Sequence, residues 1–315
     1  MNKFSKKYID KISSSKVYDV AIKTPVTKAE SVSSQFSNKV FLKREDLQPT
    51  HSFKIRGAYN RISNLVEREN AKHVVTASAG NHAQGVAYSA KSLKIKSTIF
   101  MPKTTPSIKV ESVKGYGAKI VLVGDNFDEA LEESLTFCKI KNLPFIHPFD
   151  DPFVIAGQGT IGKELLDQFN KKIDIIFVAV GGGGLISGIG AYVKTVDPKI
   201  KIVAVEAADA AGLNSSLKAN RRVKLKEVGL FADGAAAKQI GKHNYKLITE
   251  WIDDSITVST DEICAAVKDT FIDTRTIPEP TGALALAGLK KYVIDKKIKN
   301  KNLIATYCGS NLNFE

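Results

Sequence analysis

The chain has 315 residues, 43% of them hydrophobic and 25% charged, and this balance excludes a disordered, collagen-like or coiled-coil protein. The net charge of +13 comes from dispersed lysines and arginines without interleaved aromatic residues, so we expect no nucleic-acid partner. The longest apolar run, Ile175 to Val180, is too short to cross a membrane, so we expect no membrane partner.

The cysteines and the first residues bear on the compartment. Cys138, Cys264 and Cys308 lie apart from each other and from any histidine cluster, which predicts neither a disulfide framework nor a metal site. Residues 1–20 are rich in Lys and Ser and lack the apolar stretch of a secretory signal. We therefore expect a cytoplasmic protein, with an organellar transit segment as the alternative.

Strand-like and helix-like segments alternate along the chain. A helix is predicted after the first strand, where apolar residues from Ala83 to Leu93 follow helical spacing, and another at Asn126, which has Glu129 three residues later. The alternation predicts an α/β fold with parallel sheets covered by helices on both faces. The predicted strands are residues 73–77, 97–101, 119–123, 144–148, 173–180 and 201–206.

A glycine-rich loop follows the apolar strand at 173–180 and precedes a helical pattern. Without Cβ atoms its N–H groups can converge on an anion, and the helix N-terminus adds a favourable dipole, so we interpret it as a phosphate site. Glu206, one βαβ unit later, leaves a nicotinamide dinucleotide as the alternative, although the glycine spacing is not GxGxxG. The loop consists of Gly181, Gly182, Gly183, Gly184 and Leu185.

Two further segments carry candidate chemistry. Lys54 is flanked by Phe53 and Ile55, and partial burial lowers the pKa of an amine, which leaves it a neutral nucleophile able to form a Schiff base. Residues 78–82 begin a predicted helix with small residues whose free N–H groups suit a carboxylate. Together with the phosphate loop, these features indicate pyridoxal phosphate (PLP) acting on an amino acid. The members of the carboxylate nest are Ser78, Ala79, Gly80, Asn81 and His82.

Four motifs occur here in the order found in one known family. They are SFK at 52–54 with KRED upstream, SAGNHAQG at 78–85, GGGGL at 181–185, and CGSN at 308–311. On these residues the chain resembles the threonine/serine dehydratases, which are fold-type II PLP enzymes, from about residue 17 onwards. Segments such as EPTGALALAG look most like the biosynthetic threonine dehydratase branch.

The resemblance implies a role for each matching position. Lys54 would hold PLP and take the α-proton, the glycine loop would bind the phosphate, and residues 78–82 would bind the substrate carboxylate. Phe53 and Gly234 would flank the pyridine ring, with Asn81 on its 3-hydroxyl. Cys308 would lie at the pyridine nitrogen, where a neutral thiol favours a neutral ring and elimination. Glu279 would lie near the cofactor.

The resemblance also implies a fold, an activity and an assembly. The fold would be tryptophan synthase β-like, with residues 1–74 and 152–315 forming a large PLP-binding domain and residues 75–151 a small mobile domain. The activity would convert L-threonine to 2-oxobutanoate and ammonia, with L-serine to pyruvate as a secondary reaction, at the start of isoleucine biosynthesis. Family members are dimers or tetramers. The chain ends soon after Cys308, so we expect no regulatory domain within it.

Alternatives remain at this stage. Serine racemases carry a serine as second base where this chain has Ala79, so racemisation is disfavoured. Those relatives also bind a divalent cation at positions that here are Glu206, Ala210 and Gly212, where one oxygen ligand is missing. A β-replacement enzyme, a nicotinamide-dependent oxidoreductase and a non-catalytic binding protein are the other candidates.

Overall fold

A computed structural model describes the backbone of residues 3–312 and the side chains of residues 8–312. Strands and helices alternate along most of this part of the chain. The strands are β1 (Val26–Lys28), β2 (Lys39–Arg44), β3 (His73–Ala77), β4 (Lys96–Met101), β5 (Lys119–Leu122), β6 (Ile175–Ala179), β7 (Lys201–Ala207), β8 (Asp254–Val258) and β9 (Asn302–Tyr307). The helices are α1 (Lys3–Ser13), α2 (Glu30–Phe36), α3 (Lys54–Glu69), α4 (Asn81–Ser92), α5 (Ser107–Lys114), α6 (Phe127–Lys141), α7 (Pro152–Gln168), α8 (Gly184–Val196), α9 (Gly212–Lys218), α10 (Lys242–Trp251), α11 (Thr260–Thr274) and α12 (Pro280–Asp295).

The larger sheet has the strand order β1-β2-β9-β6-β7-β8 and is parallel except for β1, which pairs antiparallel with β2. Every residue of β6 is buried, as expected for a central parallel strand covered on both faces. Because parallel strands end at the same edge, the loops after β6 and β9 emerge side by side. This edge carries the glycine loop after β6 and Cys308 after β9.

The smaller sheet is parallel, has the order β3-β4-β5 and is packed against α4, α5 and α6. Residues 78–82 follow directly on β3, so its carboxyl end presents the predicted nest. The smaller sheet and its helices occupy one continuous stretch of chain, residues 73–141. That continuity agrees with the small domain expected at 75–151, but the division into domains stays a prediction.

Most of the predicted elements are present, with one error. The strands at 73–77, 97–101, 119–123, 173–180 and 201–206 are confirmed to within a few residues, and the Asn126 side chain caps α6 by accepting the N–H of Glu129. The strand predicted at 144–148 is wrong: only Phe145 pairs there, in a single bridge to Val75. Pro144 and Pro148 lack an N–H to donate, so a ladder cannot extend.

Within residues 3–312, no helix is both long and apolar enough to span a membrane.

Candidate active site

A cavity opens where the glycine loop faces the start of α3, and its free space, part of which is open to solvent, is about 400 Å³. Eight of the predicted site residues line it: Phe53, Lys54, Gly181, Gly182, Gly183, Gly184, Leu185 and Gly234. The sequence did not single out the other lining residues, which are Pro148, Phe149, Gln158, Ala179, Ala235 and Thr281.

Lys54 is placed by contacts on either side of it. Lys54 is the first residue of α3. The two residues before it contact the loop after β9: Ser52 forms an isolated β-bridge with Gly309, and the N–H of Phe53 donates to the Cys308 carbonyl at 3.2 Å. On the other side, α4 lies so close that a Cβ at Gly85 would be 3.1 Å from the Lys54 carbonyl. Lys54 therefore lies between the two sheets.

The Lys54 amine is held in a poorly solvated position. Its Nζ donates to the main-chain carbonyl of Pro148 at 3.3 Å. Burial lowers the pKa of the amine to about 8, while the nearby Glu279 carboxyl acts in the opposite direction. At pH 7 the ammonium form of Lys54 still predominates, but its neutral, nucleophilic form is far more abundant than that of an exposed lysine.

The glycine loop is closely packed from behind. A Cβ at Gly181 would lie 2.8 Å from Ala235 Cα, and one at Gly182 would lie 2.2 Å from the ring of Phe149. Gly183 has φ +94°, in the left-handed region, and it precedes the first residue of α8. Larger residues would not fit at these positions, and a glycine loop at the N-terminus of α8 is suited to binding an anion.

The cavity fits a phosphate-bearing aromatic cofactor with an aldehyde. The glycine loop supplies unobstructed N–H groups for the phosphate, and Lys54 supplies an amine for the aldehyde. Thr281 also favours a ligand in this cavity. Its hydroxyl is buried in the cavity wall and has no hydrogen-bond partner among the described residues, as expected of a group that binds a ligand.

Cys308 is a buried thiol at the end of β9. Its Sγ donates to the Thr281 carbonyl at 3.3 Å, which places it against the cavity wall. Burial, reinforced by the nearby Glu279 carboxyl, raises the pKa of the thiol well above its ordinary value. The side chain is therefore neutral, as the sequence interpretation requires of a partner for an unprotonated pyridine nitrogen.

Asn81 and Glu279 meet in a hydrogen-bonded chain beside the cavity. Asn81 Nδ2 donates to Glu279 Oε1 at 2.6 Å, and Asn81 Oδ1 accepts from Asn311 Nδ2, also at 2.6 Å. Since an amide nitrogen carries two N–H bonds, one remains for a ring hydroxyl. Burial raises the pKa of Glu279 to about 7. Asn311 was not among the predicted site residues, although it ends the CGSN motif.

The carboxylate nest is present at the start of α4. Ser78, Ala79, Gly80 and Asn81 are partly exposed. The Ser78 N–H donates to the Phe100 carbonyl at 3.0 Å and the Gly80 N–H to Ser78 Oγ at 3.3 Å, so the candidate donors to a carboxylate are the N–H groups of Ala79, Asn81 and His82. His82 is buried, and its Nε2 lies 3.0 Å from the Ile146 carbonyl. Burial, with a smaller effect of Lys54, lowers the pKa of His82 to about 3, so the His82 imidazole is uncharged at neutral pH.

Glu206 has a structural role in the folded chain, and this role requires neither a nucleotide nor a cation. Its carboxylate is fully buried and accepts the N–H groups of Leu213 at 2.7 Å and Asn214 at 2.8 Å, at the start of α9. It is therefore unavailable to a ribose, and the dinucleotide interpretation is wrong. Between residues 3 and 312 no group of three or more His, Cys, Asp or Glu residues is placed to hold a metal ion.

Comparison with known proteins agrees with this geometry. The family model described as pyridoxal-phosphate dependent enzyme matches residues 17–309. The L-threonine dehydratase biosynthetic IlvA of Pasteurella multocida is 52% identical over 307 residues, which cover 98% of this chain. The chain spans 60% of the length of that relative.

Two solved structures are also similar. The processed form of threonine deaminase isoform 2 from Solanum lycopersicum has a TM-score of 0.97 at 44% identity, with 100% of this chain and 86% of that chain covered. Serine racemase from Dictyostelium discoideum has a TM-score of 0.88 at 32% identity, with 98% of this chain and 99% of that chain covered. The expected fold-type II architecture is thereby confirmed.

Proposed function

The chain belongs to the family of pyridoxal-phosphate-dependent enzymes, and on this premise we propose that it is an L-threonine ammonia-lyase that forms 2-oxobutanoate and ammonia. The observation that carries the proposal is the meeting, in one cavity, of the glycine loop and the Lys54 amine with its lowered pKa. The choice of L-threonine as the substrate rests on the similarity of this chain to threonine dehydratases.

Each proposed contact to the cofactor uses a group described above. The N–H groups of residues 181–185 would bind the phosphate, Asn81 would donate its remaining N–H to the ring hydroxyl, and Cys308 would lie at the ring nitrogen. Bound PLP supplies an electron sink for the charge that develops at the substrate Cα. A neutral thiol in place of a carboxylate leaves this sink weak, which favours loss of a β-hydroxyl over reactions that need a longer-lived carbanion.

Lys54 has the position and the pKa for proton transfer at Cα. With the cofactor bound, the Lys54 amine would lie in a poorly solvated cavity, where burial lowers its pKa to about 8 and its unprotonated form can accept the α-proton. The substrate carboxylate binds at residues 78–82. Ala79 has no group that could deliver a proton to the opposite face of Cα, which argues against racemisation.

We expect the rate of covalent PLP uptake by the apoprotein to rise with pH and to level off above about pH 8. The neutral amine is the nucleophile, so uptake follows deprotonation of Lys54, whose pKa burial lowers to about 8. Stopped-flow absorbance measures the rate, with a lysine-containing peptide as the control. For the peptide the rate continues to rise about tenfold per pH unit toward pH 10. A protein profile that parallels the peptide would contradict a lowered pKa.

The activity is tested with purified, PLP-loaded protein. L-threonine is expected to give 2-oxobutanoate and ammonia in equal amounts, and L-serine is expected to give pyruvate at a lower kcat/KM. L-alanine and L-homoserine serve as controls, since neither carries a leaving group on Cβ. Absence of an oxo acid from a protein that binds PLP would contradict the proposal, and formation of D-serine from L-serine or D-allothreonine from L-threonine without oxo acid would favour a racemase.

The remaining expectations are also proposals. We place the reaction at the start of isoleucine biosynthesis and in the cytoplasm, where the free Cys138, Cys264 and Cys308 stay reduced. We infer that the chain forms a homo-oligomer, which light scattering coupled to gel filtration tests.

Movement of residues 75–151 would open the cavity by breaking the ion pairs Lys109–Asp233 and Asp128–Lys238. Identical scattering profiles with and without a threonine analogue would contradict that movement.

A further inference from the structure

Asn244 is a fully buried polar side chain that lies behind the glycine loop and outside the cavity wall. Its Nδ2 donates to two main-chain carbonyls, that of Gly182 at 2.9 Å and that of Phe149 at 3.0 Å. The first belongs to the glycine loop, and the second belongs to the segment that leads from the smaller sheet into α7. Asn244 thus connects two parts of the cavity wall that are more than 30 residues apart in sequence.

The Gly182 carbonyl is held twice, because the N–H of Gly241 also donates to it, at 3.1 Å. In a trans peptide the carbonyl and the following N–H point in opposite directions. A carbonyl fixed toward Asn244 and Gly241 therefore turns the N–H of Gly183 away from them, to the side on which the loop faces the cavity. The positive φ of Gly183 lets the chain continue from there into α8.

The position of Asn244 is set by the segment around Phe149, to which its side chain donates a hydrogen bond. The Asp150 carboxylate accepts the N–H groups of Lys242 at 2.7 Å, His243 at 2.9 Å and Asn244 at 3.2 Å, which fixes the start of α10. The amide has only one favourable orientation, since the reverse would place Oδ1 against two carbonyl oxygens. In that orientation Oδ1 is buried and has no partner among the described residues, a cost that packing alone does not explain.

We propose that Asn244 is a positioning residue for the cofactor phosphate. It holds the Gly182 peptide so that the Gly183 N–H is presented to the phosphate before the cofactor arrives, and it ties the glycine loop to the Phe149 segment. Such preorganisation strengthens phosphate binding because the peptide need not turn when the cofactor binds. The proposal concerns the cofactor, so it holds whichever amino acid reacts.

The test compares PLP with pyridoxal, which differs by lacking the phosphate. The apoprotein and its Asn244→Asp and Asn244→Leu variants are titrated with each compound, and Kd is read from absorbance. A misdirected donor to a charged phosphate is expected to raise the Kd for PLP by about 10- to 100-fold. The Kd for pyridoxal is expected to stay within about 3-fold of the wild-type value, because that compound does not use the loop.

Asn38→Leu is the matched control. Asn38 is also buried and also donates to two main-chain carbonyls, those of Phe36 at 2.8 Å and Ile298 at 2.9 Å, but neither of these residues belongs to the cavity wall. This variant is expected to lose stability without changing the ratio of the two Kd values. Asn244→Leu removes the hydrogen-bond donor but keeps a similar side-chain volume. The Kd comparison therefore uses Asn244→Leu if the buried charge of Asn244→Asp prevents folding. Equal weakening of PLP and pyridoxal, or no weakening of either, would overturn the proposal.

Discussion

Lys54→Ala is expected to lower kcat for L-threonine by about 10⁴-fold while the protein remains folded and still binds PLP. The substitution removes both the amine that holds the cofactor and the base that takes the α-proton, and a positioned base alone contributes about 10² to 10⁴ in rate. The phosphate contacts of the glycine loop do not involve the lysine side chain, so PLP should remain bound noncovalently and be lost on prolonged dialysis.

A small primary amine should restore part of the lost activity. Lys54 is adjacent to the cavity, so its truncation leaves room for methylamine beside the substrate Cα. The restored rate should increase with the unprotonated fraction of the amine, because only that form accepts a proton. The assay is 2-oxobutanoate formation at a series of methylamine concentrations and pH values.

Lys91→Ala supplies the control for this prediction. Lys91 is an exposed residue of α4, on the helix that begins with the carboxylate nest, and it does not line the cavity. Its replacement should leave kcat within about 2-fold of the wild-type value. If Lys54→Ala kept a tenth or more of the wild-type kcat, or if amines had no effect on a folded, PLP-bound variant, Lys54 would not be the base.

Five of the nine strands within residues 3–312 were predictable because they have strong local signals, whereas β1, β2, β8 and β9 were not predicted. The parallel strands β6 and β7 are continuous apolar runs, and Asn126 with Glu129 marks a helix start by a hydrogen bond between near neighbours. The segment at 144–148 contains only two adjacent apolar residues that could pair, Phe145 and Ile146, and it pairs only at Phe145. There the two prolines remove the donors that a ladder needs, and that signal was available in the sequence.

The site was predictable where one short motif carries the function. The glycine loop and Lys54 were identified from adjacent residues, and both line the cavity. The contributions of Phe149 and Asn244 depend on contacts with Gly182, which is separated from them by 33 and 62 residues in sequence. A single sequence contains no local sign of such contacts, since they follow from how α7, α8 and α10 pack.

Glu206 illustrates the opposite error, in which a local pattern suggested a ligand that the structure does not need. Its distance from the glycine loop resembles that of a ribose-binding acid. In the folded chain the carboxylate is used by the N–H groups of Leu213 and Asn214. Spacing alone could not distinguish these roles, because both place an acid at the end of a buried strand.

Glu164→Gln is expected to lower the free energy of unfolding by about 3 to 5 kcal/mol, the largest stability effect we predict for a single side chain. Glu164 lies on α7, and its carboxylate accepts from Lys43 Nζ at 2.5 Å and from Arg56 Nη1 at 2.6 Å. Arg56 also bonds Glu45, from Nε at 2.7 Å and from Nη2 at 2.8 Å. All four side chains are at most 2% exposed.

The cost arises from the charge that is left behind. Two positive and two negative groups balance in the wild-type cluster, and glutamine removes one negative charge while Lys43 and Arg56 stay buried. Replacing a whole buried ion cluster with apolar residues is often neutral, but removing one partner leaves a charge without compensation. Because Arg56 is two residues from Lys54, we also expect the variant to bind PLP more weakly, which the Kd measured by absorbance titration would show.

Asp167→Asn, one turn further along α7, separates burial from charge. Asp167 also pairs with a lysine, Lys163, but the side chains of that pair are 52% and 37% exposed. Water solvates the charge that remains, so this substitution should cost less than about 1 kcal/mol. Urea unfolding of both variants makes the comparison. Similar losses for the two would show that water reaches the cluster around Arg56, and that the start of α3 is held by apolar packing and not by charge.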